Sequence, residues 1–169
     1  MKGPIVITGF MGCGKTKVAR ALATRLNVVM VDLDDYITTR VGQTPAQLIT
    51  SAGEPAFRDI ETEALRELLQ RRQAGVISLG GGAWIEKTNR DLIEQNRCVS
   101  VWLDVPFEIC WARIERSEQD RPLGRTRTQA LELYDRRKPI YQLAQIHIQR
   151  RDDDLDDVLP RIENKLAAD

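Results

Sequence analysis

A phosphate-binding sequence lies close to the start of the chain. Residues 9–16 read Gly-Phe-Met-Gly-Cys-Gly-Lys-Thr, which fits the pattern G-x-x-x-x-G-K-[ST] at every fixed position. The glycines let backbone N–H groups turn towards phosphate oxygens, and a helix that begins here aims its positive dipole end at the same anion. In this pattern Lys15 contacts the β- and γ-phosphates and the Thr16 hydroxyl binds Mg²⁺. The sequence therefore predicts a nucleotide phosphate site.

Phosphate loops of this kind occur in kinases, GTPase switches and motor ATPases, so other residues must distinguish these classes. The sequence contains neither a D-x-x-G segment nor an N-K-x-D guanine-binding segment, which argues against a GTPase switch. A mechanical ATPase usually needs a larger scaffold, or a ring of partners, than a chain of 169 residues provides. A small-molecule kinase needs acceptor-binding groups opposite the phosphate loop, and candidates for such groups are present.

Two aspartates at the end of the second predicted strand are the first candidates. Asp32 and Asp34 stand two residues apart, so both side chains would face the phosphates if the extended conformation continues. One carboxylate could then organise Mg²⁺ through water while the other accepts a proton from an attacking hydroxyl. The spacing equally allows Asp34 to cap the next helix. Asp104 is a rival metal carboxylate, although its position just before Pro106 favours a helix cap.

Glycines and arginines form the other candidate groups. Residues 80–82 are three successive glycines after the third predicted strand, and they permit close backbone approach to a ligand. Arg121 and Arg137 have no acidic partner at helical spacing. Arg58 has such a partner in Glu61, and that pair could be a surface salt bridge worth at most about 1 kcal/mol. Arginine, unlike lysine, grips planar anions with two parallel hydrogen bonds, and the chain has 19 Arg against 6 Lys.

Strands and helices alternate along the chain and would position these groups. We predict strands over residues 4–8, 28–32, 76–79, 99–103 and 146–149. We predict helices over residues 15–26, 54–72, 128–141 and 155–166, with two more that begin at Thr44-Pro45 and after Asp104. This alternation indicates an α/β fold of the P-loop kinase type, with a five-stranded parallel sheet in a three-layer α/β/α arrangement.

One long polar stretch interrupts the alternation. Residues 116–127 include Pro122, Gly124 and four arginines. A loop of about twelve residues in so compact a chain is long enough to predict a mobile lid, although a plain surface loop has a similar composition. We therefore predict a single domain over residues 1–169 with a lid at about 116–127.

Composition limits the partners and the compartment. The formal net charge is zero and only 5% of the residues are aromatic, which argues against a nucleic-acid or membrane-surface binder. The three cysteines lack CxxC spacing, and neither a secretory signal nor a membrane-spanning stretch is evident. Cys13 in the phosphate loop fills a tight turn or is a thiol activated by the helix end. His147 and the three tryptophans (Trp84, Trp102 and Trp111) are interpreted as packing residues. We predict a cytoplasmic monomer.

The chain resembles the shikimate kinase family. Six motifs carry the resemblance, in order: GxxxxGKT at 9–16, DxD at 32–34, FRxxE at 57–61, GGG at 80–82, RPL at 121–123 and RxPxY at 137–141. Single motifs such as DxD mean little, but the ordered set is highly specific and spans most of the chain. The resemblance implies a nucleoside-monophosphate-kinase-like fold. It also implies transfer of the ATP γ-phosphoryl group to the 3-hydroxyl of shikimate, giving shikimate 3-phosphate and ADP in aromatic amino-acid biosynthesis.

The resemblance also implies a role for each matching residue. The catalytic residues would be Lys15, Asp34 (the candidate base) and Arg121. ATP would be bound by Gly12, Cys13, Gly14, Lys15, Thr16, Lys17, Arg113 and Arg121. Shikimate would be bound by Asp34, by the carboxylate clamp Arg58 and Arg137, and by the backbone of Gly80, Gly81 and Gly82. Mg²⁺ would be held by Thr16 and, through water, by Asp32. Arg121 would descend with the lid onto the phosphates.

Two departures from the family pattern limit the resemblance. The lid sequence has Gly124 after Leu123, where a second apolar residue is common, so lid closure would differ. Residues 149–152 match poorly, and no nucleotide contact is assigned to them. Two other functions remain open: a related small-metabolite kinase of the gluconate type, which needs neither the arginine pair nor GGG, and a non-catalytic nucleotide-binding module that would produce no ADP.

Overall fold

The structure, a computed structural model, describes residues 3–118, 121–151 and 154–168. In these ranges the strands are β1 (Ile5–Thr8), β2 (Met30–Asp32), β3 (Val76–Ser78), β4 (Val99–Asp104) and β5 (Ile146–Gln149). The helices there are α1 (Lys15–Leu26), α2 (Leu33–Val41), α3 (Pro45–Ala52), α4 (Glu54–Arg71), α5 (Lys87–Gln95), α6 (Phe107–Glu115), α7 (Arg127–Tyr141) and α8 (Leu155–Ala168), with a short 3-10 helix at Ala83–Ile85.

The strands form one parallel sheet in the order β2-β3-β1-β4-β5. Val76, Ile77 and Ser78 of β3 are each at most 1% exposed. Because successive side chains of a strand point to opposite faces, this burial means that both faces of the sheet are covered. The predicted three-layer arrangement around a five-stranded parallel sheet is confirmed.

The strand order brings three of the sequence motifs to one edge of the sheet. β1 lies between β3 and β4, and β3 lies between β2 and β1. The phosphate loop leaves β1, the three glycines follow β3, and Asp32 ends β2. Since the carboxyl ends of parallel strands meet at the same edge, this is where a ligand crevice is expected.

Local sequence signals explain where several helices begin. Thr44 caps α3, and its side chain and that of Gln47 exchange hydrogen bonds with each other's backbone N–H groups, with Pro45 at the first helical position. Thr126 and Gln129 form the same capping box at the start of α7. Such caps satisfy N–H groups that the helix itself leaves unpaired. No helix in the described ranges combines the length and the apolar character needed to cross a membrane.

The local structure differs from the sequence analysis at three places. The extended conformation does not continue to Asp34, because α2 begins at Leu33 and Asp32 is its N-cap. The prediction that Asp104 caps the next helix was wrong: Asp104 ends β4, and the N-cap position of α6 is Pro106, without a side-chain cap bond. α5 was not predicted, because only Leu92 and Ile93 of its nine residues are apolar.

Candidate active site

The phosphate loop leaves β1 and turns tightly into α1. Gly12 and Gly14 have φ values of +76° and +89°, a region that side-chain-bearing residues rarely adopt. α1 begins at Lys15, and its first turn, which is described in full, contains no acidic residue. The positive end of this helix is therefore not neutralised by its own side chains, and it suits a bound anion.

Lys15 lies over the loop that precedes it. Its Nζ donates hydrogen bonds of 3.0 Å to the carbonyl oxygens of both Gly9 and Phe10. A lysine ammonium has three N–H donors, so one remains for a further acceptor. The loop thereby fixes a positive charge at the site where the motif binds phosphate.

Thr16 and Asp32 join the phosphate loop to β2. The Thr16 hydroxyl donates to Asp32 Oδ2 at 2.7 Å, and Ser78 Oγ lies 3.5 Å from the same hydroxyl. The other Asp32 oxygen accepts from the Asp34 backbone N–H at 3.0 Å, which caps α2. Asp32, and not Asp34, is therefore the capping residue.

Asp34 lies in the first turn of α2 as a buried carboxyl group. Its Oδ1 atom has no hydrogen-bond partner. Burial, and next the charge of Asp32, raise the pKa of Asp34 to about 6 although Lys15 and Arg58 lower it. A carboxylate that is short of hydrogen bonds and has a raised pKa is suited to accept a proton.

The three glycines give the space that these charged groups occupy. A Cβ atom on Gly80 would stand 2.6 Å from Asp34 Oδ1 and 3.0 Å from Glu61 Oε1. A Cβ on Gly82 would stand 2.5 Å from Arg58 Cζ. Gly81 is less crowded, since its nearest neighbours would be Met11 N at 3.4 Å and Arg137 Nη1 at 3.7 Å. Close packing, rather than an unusual φ, favours glycine at positions 80 and 82.

Arg58 is held by two acids of its own helix, α4. It donates to Glu61 Oε2 at 2.7 Å and to Glu54 Oε1 at 3.0 Å. The side chains of Arg58 and Glu61 are 11% and 1% exposed, so the interpretation of this pair as a surface salt bridge was wrong. Burial raises the pKa of Glu61 to about 7, while the charge of Arg58 lowers it. The sequence analysis gave Glu61 no task beyond this pairing, because its burial depends on the packing of α4.

Arg137 is the second buried arginine of the site. It lies on α7 and is 7% exposed, with a guanidinium that faces Gly81. No carboxylate in the described ranges forms an ion pair with it. The nearby Glu61 carboxyl, whose pKa the charge of Arg137 lowers, offsets part of the cost of burying this cation, and the guanidinium keeps donors for a further acceptor.

A cavity of about 870 Å³ brings the acceptor-side groups together. The residues that the sequence assigned to the substrate all line it: Asp34, Arg58, Gly80, Gly81, Gly82 and Arg137. Lys15, Thr16 and Asp32 are not part of its lining. Polar residues that were not foreseen from the sequence also line it: Thr44, Gln47, Thr50 and Ser51. These four residues lie at or within α3, whose apolar pattern gave no sign of a ligand-facing side.

The segment between α6 and α7 reaches the same cavity. Arg121, Pro122 and Leu123 line it, and burial lowers the pKa of the Arg121 guanidinium. A Cβ atom on Gly124 would overlap Met11 Cε of the phosphate loop, so the glycine admits a close contact between the two segments. Within the predicted lid, residues 119 and 120 lie outside the described residues, and residue 127 already belongs to α7.

Other predicted nucleotide residues surround the phosphate loop. Arg113 of α6 donates to the Gly12 carbonyl at 3.0 Å. Arg150, to which no contact was assigned, is 3% exposed and has Nη1 3.0 Å from the position of a Cβ on Gly14. Asp152 of that C-terminal segment lies outside the described residues. Cys13 is fully buried, whereas Lys17 is exposed on α1.

The oxygen atoms of Thr16 and Asp32 are the donors of this site that fit a hard cation such as Mg²⁺. In the part of the chain that the structure describes, no group of three or more His, Cys, Asp or Glu side chains could hold a metal. Mg²⁺ commonly takes one or two protein ligands and completes its shell with water and phosphate oxygens. The hydroxyl and the carboxylate, 2.7 Å apart, match that limited donor set.

Comparisons with known proteins identify the family of the chain. The family model for shikimate kinase matches residues 11–167. The shikimate kinase of Cereibacter sphaeroides is 36% identical over 171 residues, covering 99% of this chain and 84% of that protein. The shikimate kinase of Brucella canis is 33% identical over 167 residues, covering 97% and 82%.

Solved structures give the same result. A shikimate kinase from Acinetobacter baumannii in complex with shikimate superposes with a TM-score of 0.91 at 31% identity, covering 99% of this chain and 94% of that one. A gluconokinase from Sinorhizobium meliloti reaches a TM-score of 0.68 at 17% identity, covering 98% and 92%. At that identity the second likeness concerns the fold alone.

Proposed function

The chain belongs to the shikimate kinase family, and we propose on that premise how its residues carry out the reaction. It is an ATP-using kinase that transfers the γ-phosphoryl group to the 3-hydroxyl of shikimate, giving shikimate 3-phosphate and ADP. The reaction lies on the route to the aromatic amino acids. The proposal concerns which atoms bind the acceptor, which receive the proton and which stabilise the phosphates.

The observation that carries the assignment is the buried Arg137, which forms no ion pair with the described residues and lines the same cavity as Arg58 and Asp34. Shikimate has a planar carboxylate, and guanidinium groups bind such an anion with paired, charge-assisted hydrogen bonds. Arg137 would provide most of this binding, because Arg58 already donates to Glu54 and Glu61. The backbone of residues 80–82 would contact the ring hydroxyls.

Asp34 would act as the base or orienting group for the 3-hydroxyl. Its Oδ1 atom is unpartnered in a buried position, so it can accept a hydrogen bond from the acceptor. A pKa of about 6 leaves it ionised at neutral pH, and still basic enough to take the hydroxyl proton as the oxygen attacks phosphorus. Gly80 leaves the space in which acceptor and carboxylate meet.

The phosphate loop would bind ATP through the backbone N–H groups of Gly12, Cys13, Gly14, Lys15, Thr16 and Lys17. Lys15 would exchange a loop carbonyl for the β- and γ-phosphate oxygens. Arg121 would neutralise charge that develops on the transferred group, and Arg113 would contact the nucleotide. Thr16 directly, and Asp32 through water, would hold Mg²⁺, which supplies charge neutralisation between the β- and γ-phosphates.

A coupled assay of ADP release with MgATP, with and without shikimate, tests the proposed function. We expect release that depends on shikimate and saturates with it, and little release with gluconate. Equal stimulation by gluconate would indicate that the arginines recognise another acid. ATP binding without ADP release from any acceptor would indicate a nucleotide-binding module.

The organisation of the chain completes the proposal. We expect one domain in which residues 116–127 close as a lid over the bound nucleotide. We expect a monomer in the cytoplasm, without nucleic-acid or membrane partners. Light scattering at several protein concentrations tests the oligomeric state, and fractionation of cells tests the compartment.

A further inference from the structure

Tyr141 ends both α7 and the RxPxY motif, and the steps above do not use it. The side chain is 1% exposed, and its ring stacks on Trp102 with 6.3 Å between the ring centroids. Packing alone would be served by phenylalanine. A buried hydroxyl needs hydrogen-bond partners, so the partners of this one show what it does.

The Tyr141 hydroxyl joins the two halves of the acceptor site. It donates to the Gly81 carbonyl. Arg137 lies one helical turn earlier on α7, and its guanidinium faces the same glycine, with Nη1 3.7 Å from the position of a Cβ on Gly81. Burial raises the pKa of Tyr141 well above its usual value although the charge of Arg137 lowers it, so the hydroxyl keeps its proton. The hydroxyl and the guanidinium therefore meet at the Gly81 backbone.

A second hydrogen bond joins the same two segments in the opposite direction. Trp84, two residues after the last glycine, donates from Nε1 to the Ile140 carbonyl at 2.9 Å. From the other side, Asn89 holds the Ala83 carbonyl and Arg90 holds the Trp84 carbonyl. The end of α7 is thereby fixed to the glycine segment, and that segment is fixed to α5.

We propose that Tyr141 is a positioning residue for the acceptor carboxylate, because it fixes the Gly81 backbone that the Arg137 guanidinium faces. This inference rests on the proposed function, in which Arg137 binds the carboxylate of shikimate. Arg58 is oriented by Glu54 and Glu61, whereas no described carboxylate forms an ion pair with Arg137. The backbone that Tyr141 fixes is the wall against which Arg137 lies, one helical turn before Tyr141.

The test compares two tyrosines of the same helix. Tyr141→Phe removes the hydroxyl and keeps the ring. Tyr134→Phe is the matched control, since Tyr134 is also buried and donates to a backbone carbonyl, that of Val105 at 3.0 Å. Both variants are assayed with shikimate and with its uncharged methyl ester, and kcat and KM are determined separately for each acceptor and for ATP.

For Tyr141→Phe we expect the KM for shikimate to rise about tenfold. The KM for ATP and the rates with the methyl ester should stay within about twofold of the native values. The preference for shikimate over the ester then falls about tenfold, whereas Tyr134→Phe leaves it unchanged. This preference is the kcat/KM for shikimate divided by the kcat/KM for the ester. Both values come from one preparation of the variant, so a smaller folded fraction does not affect their ratio. Equal losses on both acceptors, or an unchanged preference, would overturn the positioning role.

Arg137→Ala separates this inference from the function on which it rests. If Arg137→Ala leaves the preference for shikimate unchanged, the proposed carboxylate clamp itself is wrong. If Arg137→Ala abolishes the preference and Tyr141→Phe does not reduce it, only the role of Tyr141 is wrong. In the double variant, we expect Tyr141→Phe to cause no further loss on shikimate, because its effect passes through Arg137.

Discussion

The two sides of the active site are built in different ways. The proposed phosphate side comes mainly from one continuous segment, residues 9–17, in which backbone geometry and the start of α1 suit a bound anion; Asp32, Arg113 and Arg121 join it from other elements. The acceptor side takes Asp34 from α2, Arg58 from α4, residues 80–82 from the end of β3, and Arg137 from α7. We infer that the phosphate side depends on local sequence, whereas the acceptor side depends on contacts between distant segments.

This difference predicts which variants affect one substrate and which affect the chemical step. Changes on the acceptor side should alter shikimate kinetics and spare ATP binding. Changes on the phosphate side should lower kcat, because these residues would contact the phosphoryl group that is transferred.

Lys15→Ala tests the phosphate side. Loss of the ammonium removes charge stabilisation from the transferred phosphoryl group, and we expect kcat to fall on the order of 10³-fold. Shikimate binding, measured by calorimetry, should change little. The control is Lys87→Ala, which removes an exposed lysine that pairs with Asp91. A comparable loss of shikimate binding in Lys15→Ala would mean that the two sides are not separate.

Asp34→Asn tests the group that belongs to both sides. We expect kcat to fall about 10²-fold or more, with the KM for ATP little changed. The native enzyme should lose activity as pH falls through about 6, because protonated Asp34 cannot accept the hydroxyl proton. The variant should lack this acidic limb in its pH–rate profile. A profile that is unchanged by the substitution would exclude Asp34 as its source.

Arg137→Ala tests the acceptor side alone. We expect the KM for shikimate to rise about 10²-fold, because the carboxylate loses its charge-assisted hydrogen bonds. The dissociation constant for ATP should stay within about twofold of the native value. Arg136→Ala is the matched control, since Arg136 is the arginine next to Arg137 on the same helix and is exposed. Parallel losses of ATP and shikimate binding would contradict the clamp.

Gly82→Ala tests whether space on the acceptor side is limiting. The new methyl group would meet the Arg58 guanidinium, which can shift at some cost in geometry. We expect the KM for shikimate to rise about tenfold and kcat for bound substrate to change less. Gly81→Ala, whose methyl group meets looser contacts, should have a smaller effect. Equal effects at both positions would show that the crowding at Arg58 is not decisive.

The sequence predicted the two sides of the site unequally well. The phosphate loop was assigned in full because its pattern is continuous and each position has a backbone reason. The class of fold followed from strand–helix alternation, and the capping residue Thr44 marked the start of α3. The substrate residues were identified by resemblance to a family, and spacing alone left Asp34 open between two readings.

What the sequence did not reveal depends on tertiary packing. Glu61 looked like a surface partner of Arg58, but α4 turns it inwards, where it is 1% exposed. The hydrogen bonds from Tyr141 to Gly81 and from Trp84 to Ile140 join residues that are 60 and 56 positions apart. No local sequence pattern predicts such contacts. α5 was missed because only Leu92 and Ile93 of its residues are apolar, while polar side chains such as Asn89 fix the neighbouring segment.

Asp32 gives the site a property that concerns its evolution. One of its oxygens accepts from Thr16 of the phosphate loop, and the other begins the helix that carries Asp34. The proposed nucleotide anchor and the proposed acceptor base are thus separated by a single intervening residue at one helix start. An insertion or deletion between them would shift one carboxylate relative to the other, so active variants of this chain are expected to keep this spacing.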